Sequence, residues 1–66
     1  MEELKQAVKK HGGLQSFGRA LGVNYQAVQY MIANGVPPRR VLAVERLTGI
    51  RREVLRPDIY PPEDRL

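Results

Sequence analysis

Two short segments with apolar faces, joined by a glycine turn, occupy residues 14–34 and constrain the fold more than any other feature of the chain. Apolar side chains recur at helical spacing in each segment, so each segment predicts an amphipathic helix. These side chains are Phe17, Ala20 and Leu21 before the turn and Val28, Met31 and Ile32 after it. Gly22 lies where the first helix must end, a position that often needs a positive φ. Asn24 can cap the second helix by accepting from a free amide of its first turn, which completes a helix-turn-helix unit.

The second helix of this unit has an outward face without charge. With Val28 directed at the core, a rotation of about 100° per residue decides which side chains face outward. Gln26, Tyr30 and Ala33 lie on the far side and Gln29 lies on the flank. Glutamine can pair bidentately with adenine, and small side chains allow close approach to the major groove. The pattern therefore predicts that residues 25–33 read base edges, and we call this segment the reading helix.

Length and composition limit the chain to one small domain. Its 66 residues, 42% of them hydrophobic, can form one core near the lower size limit for independent folding. The absence of cysteine excludes disulfides and zinc sites built on cysteine. No apolar run approaches the ~20 residues of a membrane span, and the first residues are unlike a signal peptide. We therefore expect a cytoplasmic protein without a membrane partner.

The positive charge lies next to the reading helix in sequence and not on it. The net charge is +4, and residues 37–56 hold six arginines against two glutamates. Arg39 and Arg40 stand at the start of the next predicted helix, where cations oppose the helix dipole, and this placement favours an external anion. One element that reads bases beside neighbours that hold phosphates is the arrangement expected of a DNA-binding protein.

With the segments that flank the helix-turn-helix, the number of predicted short helices is about five. Residues 2–10 have an apolar stripe, an acidic start and a basic end, and two glycines follow them. A further helix is expected over residues 39–47 and a short turn or helix over residues 50–55. Three prolines after Arg56 exclude a regular helix there. We therefore predict an all-α fold, a compact bundle that contains the helix-turn-helix. The predicted domains are a DNA-binding domain, residues 1–56, and an irregular, proline-rich, extended C-terminal tail, residues 57–66.

Two parts of the chain predict particular contacts. Gly18 costs up to ~1 kcal/mol relative to alanine inside a helix, so close approach of the next helix is expected to explain it. Ile59 and Tyr60 are expected to fold back as an apolar clasp on the small core, or alternatively to pack on a second subunit. Glu63 to Leu66 are expected to fray.

Several residues around the reading helix are candidates for phosphate contact. Gln15 and Ser16 lie in the first turn of a helix, where free amides and the positive dipole end can hold a phosphate. Arg19 is either a solvated residue or a phosphate contact. His11 is either a phosphate donor when protonated or a polar residue at a helix end. The predicted phosphate-contacting residues are Gln15, Ser16, Arg19, Asn24, Arg39 and Arg40.

The chain resembles known helix-turn-helix regulators. Phe17, Leu21-Gly22-Val23, Val28 and Met31 match the pattern of Cro-type phage repressors. The downstream string PPRRVLAVERLTGIRREVLRPDIYP is similar to Cro-like and YdaS-like small regulators of phages and prophages. The resemblance covers about residues 4–61. It implies an all-α domain that binds operator DNA, generally as a dimer, and represses transcription. The base-contacting positions of the pattern fall on Tyr25, Gln26, Gln29 and Tyr30.

The leading hypothesis is a sequence-specific repressor that binds a double-stranded DNA operator as a weak homodimer, at least on DNA. It needs no metal, cofactor or small-molecule ligand. The alternative is a protein-binding helical module, such as an adaptor or a toxin-antitoxin component, in which Tyr25 and Tyr30 dock on a protein. An enzyme is not expected, because one histidine and no cysteine leave no nucleophile-base pair.

Overall fold

The computed structural model describes residues 1–62, and within this range the chain forms five α-helices and no strand. They are α1 (Glu2–Lys10), α2 (Leu14–Leu21), α3 (Tyr25–Asn34), α4 (Val41–Thr48) and α5 (Arg52–Leu55). A 3₁₀ turn, Pro38–Arg40, leads into α4. The all-α prediction is confirmed, and α3 contains residues 25–33, the segment that is predicted to read bases. The predicted fraying of Glu63 to Leu66 concerns positions outside the described range.

The predicted helix-turn-helix is formed by α2 and α3, which make the most extensive contact between any two elements described. Gly22 ends α2 in the left-handed region, with φ of 86°. Its N–H donates to the carbonyl of Gly18 at 2.8 Å. Asn24 Oδ1 accepts from the backbone N–H of Ala27 at 2.9 Å, which is the predicted cap of α3. Both turn predictions are therefore confirmed.

Gly18 is buried because the turn backbone comes close to it. A Cβ atom at this position would lie 2.7 Å from the carbonyl oxygen of Val23, a distance too short for any side chain. The predicted packing reason for a glycine is thus confirmed. The close neighbour is the turn between the two helices and not α3 itself.

All five α-helices and the link between α3 and the 3₁₀ turn contribute to the core. Its buried side chains are Leu4, Val8, Phe17, Val28, Met31, Val36, Val41, Val44 and Leu55. Ala20 was expected on the apolar face of α2, and this prediction is wrong, because Ala20 is exposed. It lines a shallow groove between α2 and α4 that is open to solvent.

The segment after α3 differs from the prediction at its start. The expected helix over residues 39–47 begins as the 3₁₀ turn, in which the N–H of Arg40 donates to the carbonyl of Pro37 at 2.9 Å. Regular α4 begins only at Val41. Arg39 and Arg40 therefore precede α4 and lie in the turn that leads to it.

The described part of the tail folds back onto the domain. Arg56 Nη1 donates to the carbonyl of Val36 at 2.7 Å, and Tyr60 packs against the core of its own chain. The clasp prediction is confirmed for Tyr60. It is wrong for Ile59, which is 42% exposed, because the turn at residues 57–59 directs this side chain away from the core.

Candidate nucleic-acid interface

The outward face of α3 presents all four predicted base-reading side chains to solvent. Tyr25 is 42% and Tyr30 59% exposed, and Gln26 and Gln29 are exposed as well. Val28 and Met31, on the opposite side, are buried. The outward face that was predicted from an inward-facing Val28 therefore agrees with the observed exposure. No hydrogen bond to another described residue engages the four outward side chains. Their amide and phenol groups are therefore available to a partner.

The arginines fall into two groups that the sequence does not separate. Arg51 pairs with Glu53 at 3.5 Å, Arg52 with Glu45 at 3.2 Å, and Arg56 with Asp58 at 2.6 Å. The other arginines of the described range have no ion pair or hydrogen-bond partner within it. They are Arg19, Arg39, Arg40 and Arg46. The basic excess of residues 37–56 thus divides into guanidinium groups with no partner in the described chain, among which Arg40 is half-buried, and groups that form ion pairs within the fold.

Arg56 fixes the connection that carries Arg39 and Arg40. Its Nε and Nη2 donate to the two carboxylate oxygens of Asp58 at 2.9 and 2.6 Å, while Nη1 holds the carbonyl of Val36. The hydrogen bonds from Arg56 lower the pKa of Asp58 to about 2. The tail and the segment before the 3₁₀ turn are therefore joined by one charged side chain.

At the N-terminal end of α2 the backbone amides are free, but the hydroxyl group of Ser16 already forms a hydrogen bond. The first amides of an α-helix have no intrahelical partner, and Gly13, which precedes α2, supplies no side-chain cap for them. Ser16 Oγ donates to the carbonyl of His11 at 2.9 Å, whereas Gln15 is exposed. Asn24 uses its Oδ1 for the cap of α3, and its amide NH₂ group remains free for a phosphate.

His11 lies at the C-terminal end of α1, where its backbone N–H donates to the carbonyl of Ala7 at 3.0 Å. Its exposed ring meets Phe17 edge to face, with 5.6 Å between ring centroids. This placement matches the alternative of a polar residue at a helix end.

The fold brings only some of the predicted site residues together. The base-reading candidates share one side of α3, whereas the phosphate candidates are distributed over α2, the turn before α3 and the 3₁₀ turn after it. Sequence reasoning missed two cations, Lys5 and Lys9, which line one groove together with Gln29. Their four-residue spacing on α1 was the available signal, since it places both on one face of that helix.

Two further features concern metals and membranes. Within residues 1–62 no group of three or more His, Asp or Glu side chains is arranged to hold a metal ion. None of the helices in this part of the chain has the length and hydropathy needed to cross a bilayer.

A family model described as bacterial toxin YdaS matches residues 4–63. The match covers nearly the whole chain and confirms the expected similarity to YdaS-like proteins. The similarity to Cro-type repressors stays a prediction. No curated protein and no solved structure matches the chain.

Proposed function

Because this chain belongs to the bacterial toxin YdaS family, we propose that it is a small phage- or prophage-type regulator that binds double-stranded DNA in a sequence-specific manner. Family membership by itself is compatible with either a small helical regulator or a toxin-antitoxin component. The observation that carries the proposal is the outward face of α3, where two glutamines and two tyrosines are exposed and have no partner in the described chain.

In the proposed complex α3 lies in the major groove of the operator. Its ten residues make a helix about 15 Å long. With its side chains such a helix is about 10–12 Å across, which fits a major groove about 12 Å wide. Gln26 and Gln29 form bidentate hydrogen bonds with base edges, and Tyr25 and Tyr30 contact thymine methyl groups or the sugar-phosphate wall. No catalytic step, metal or cofactor takes part. The proposal places the protein in the cytoplasm, where the DNA lies.

The phosphates on either side of the groove are held by groups from three elements. Arg39 and Arg40 approach from the 3₁₀ turn, and Gln15 and Ser16 offer the free amides of the first turn of α2. Arg19, which is also on α2, and the amide group of Asn24, in the turn before α3, add further contacts. These contacts fix the position of α3 on the duplex without carrying sequence information.

A weak homodimer on DNA would double the contact area. Twofold symmetry places the two copies of α3 in half-sites about 34 Å apart, so the operator is expected to be nearly palindromic.

Selection of bound sites from a pool of random duplexes tests the proposal. The expected result is a near-palindromic consensus in which each half-site spans the few base pairs that one helix contacts. Recovery of unrelated sequences, or of none above background, would overturn sequence-specific binding.

The second candidate function is a toxin-antitoxin component that binds a protein. The family description, which names a toxin, and the exposed tyrosines of α3 favour it. Titration with random duplex DNA at low and moderate salt separates the two functions. The regulator predicts strong binding that weakens steeply with salt, and a purely protein-binding component predicts little binding at either concentration.

A further inference from the structure

A groove beside the reading helix brings α1 next to α3. It runs between α1, the start of α2 and the flank of α3. Its lining residues are Lys5, Val8, Lys9, Gly13, Leu14, Gln29 and Ile32. One wall therefore carries a side chain proposed to read bases, and the facing wall carries two lysine side chains.

The charges that line this groove are all positive. Lys5 and Lys9 are exposed, and neither has an ion-pair partner within residues 1–62. Both lysines act electrostatically on Glu2, which lies outside the groove lining. Glu2 accepts a hydrogen bond from Gln6 Nε2 at 2.8 Å, and this bond, followed by the charge of Lys5, lowers its pKa.

The position of Gln29 indicates what passes along this groove when α3 is bound. A helix is about 10–12 Å across, so in a major groove of similar width its flanks face the sugar-phosphate walls. Gln29 lies on the flank of α3 that faces α1. The first negatively charged groups beyond it are then the phosphates of the strand that borders the major groove.

We propose that Lys5 and Lys9 bind this strand, so that α1 is a further phosphate-binding element of the protein. The inference rests on the proposed function and extends it to a helix whose sequence indicates only dipole-matched charges. Each ammonium group contacts a phosphate at the edge of the base steps read by Gln29. Such contacts are independent of sequence and release bound counterions.

Lys10 provides a matched control on the same helix. It is exposed, carries the same charge and is adjacent to Lys9 in sequence, but it lines the grooves between α1 and the end of α4. Lys9→Gln and Lys10→Gln therefore change the net charge equally and remove ammonium groups from different sides of α1. Lysine and glutamine have similar helix propensities, so both variants should keep the far-UV circular dichroism of the parent chain.

The experiment measures the affinity for a random duplex and for the selected operator between about 50 and 200 mM salt, the range over which counterion release is large. We expect Lys9→Gln to make the slope of log K against log salt shallower by about 0.9 on both duplexes, because one phosphate contact is lost. Lys5→Gln should act in the same way. Lys10→Gln should leave the slope at the parent value.

The outcomes separate this inference from the proposed function. If the parent chain binds DNA and the Lys9→Gln and Lys10→Gln slopes are equal, the inference is overturned and the proposed function stands. If the parent chain does not bind DNA, both are overturned. If Lys9→Gln weakens binding of a polyglutamate peptide but not of DNA, the groove binds acidic protein segments and the inference is wrong.

Discussion

Gln26 and Arg39 are both exposed side chains without a partner in the described chain, but they differ in what they can recognise. An amide on the outward face of α3 can match the donor and acceptor pattern of one base pair. A guanidinium group in the 3₁₀ turn can match any phosphate. The two residues therefore make opposite predictions about specificity.

Gln26→Ala should remove ~1–3 kcal/mol of discrimination at one position of the operator, whereas Arg39→Ala should weaken binding to every duplex and make the salt slope shallower by about one. Fluorescence anisotropy on operator and random duplexes measures both effects. Arg51→Ala is the control for the charge change, since Arg51 pairs with Glu53, and its slope should stay at the parent value. Identical profiles for Gln26→Ala and Arg39→Ala would contradict the proposed division of roles.

Gly18 allows a prediction about stability. Alanine usually stabilises a helix interior by ~1 kcal/mol relative to glycine, but forced overpacking costs ~1–3 kcal/mol. At Gly18 the obstacle is the backbone carbonyl of Val23, 2.7 Å from the new Cβ, and a backbone atom cannot rotate away. We expect Gly18→Ala to lose about 1 kcal/mol, which lowers the Tm by roughly 4–8 °C. A higher Tm in calorimetry would show that the turn can move.

At the scale of elements, contacts from the tail hold the segment between α3 and α4 in position. Arg56 holds the carbonyl of Val36 on one side and the carboxylate of Asp58 on the other. Tyr60 follows, packs on the core and lies under the guanidinium group of Arg52, 5.6 Å from ring centroid to Cζ. The 3₁₀ turn with Arg39 and Arg40 is therefore attached to a segment that the tail keeps in place.

This attachment predicts a dependence of stability on pH. The pKa of Asp58 is about 2 in the folded chain, below its ordinary value of 3.8, so its contribution is complete above about pH 4 and is lost as the pH falls toward 2. Asp58→Asn removes this contribution. Urea denaturation of both chains should show a less stable variant at pH 7 and a difference that shrinks between pH 4 and 2. A difference that is constant with pH would contradict the role assigned to this carboxylate.

At the scale of the whole molecule, some of the helices that form the one small core also carry proposed contact residues on their outer faces. Each of the five α-helices contributes to the nine buried hydrophobic side chains of residues 1–62, so the proposed DNA-contacting groups on α1, α2 and α3 lie on elements that also support the fold. In the proposed complex a chain of this size offers one copy of α3 and a short contact with DNA. Two chains on one operator are therefore expected to supply the affinity that one chain lacks.

The spacing of half-sites tests this expectation. Insertion of about 5 base pairs between the two halves of the selected operator turns one half-site to the opposite side of the duplex. We expect two chains to bind the natural spacing cooperatively and the altered spacing independently, as measured by gel shift with increasing protein. Equal cooperativity on both duplexes would show that the bound chains do not touch across the operator.

Local sequence signals determined the helix-turn-helix and the face of its second helix. The turn at Gly22, the cap at Asn24 and the outward placement of Gln26 and Gln29 all depend on residues within a few positions of each other. Helical periodicity, left-handed backbone preference and side-chain capping act over that range, and therefore these features follow from the sequence by itself.

Only the tertiary structure decided which side chains meet across the fold. It pairs Arg51, Arg52 and Arg56 with carboxylates, gives Arg39 and Arg40 no ion-pair partner among residues 1–62, and places Lys9 in a groove with Gln29. It also exposes Ala20 and Ile59, which the apolar pattern had assigned to packed positions. These outcomes depend on how separate helices pack, and the order of residues along one helix carries no signal for the charges and surfaces that another helix brings beside it.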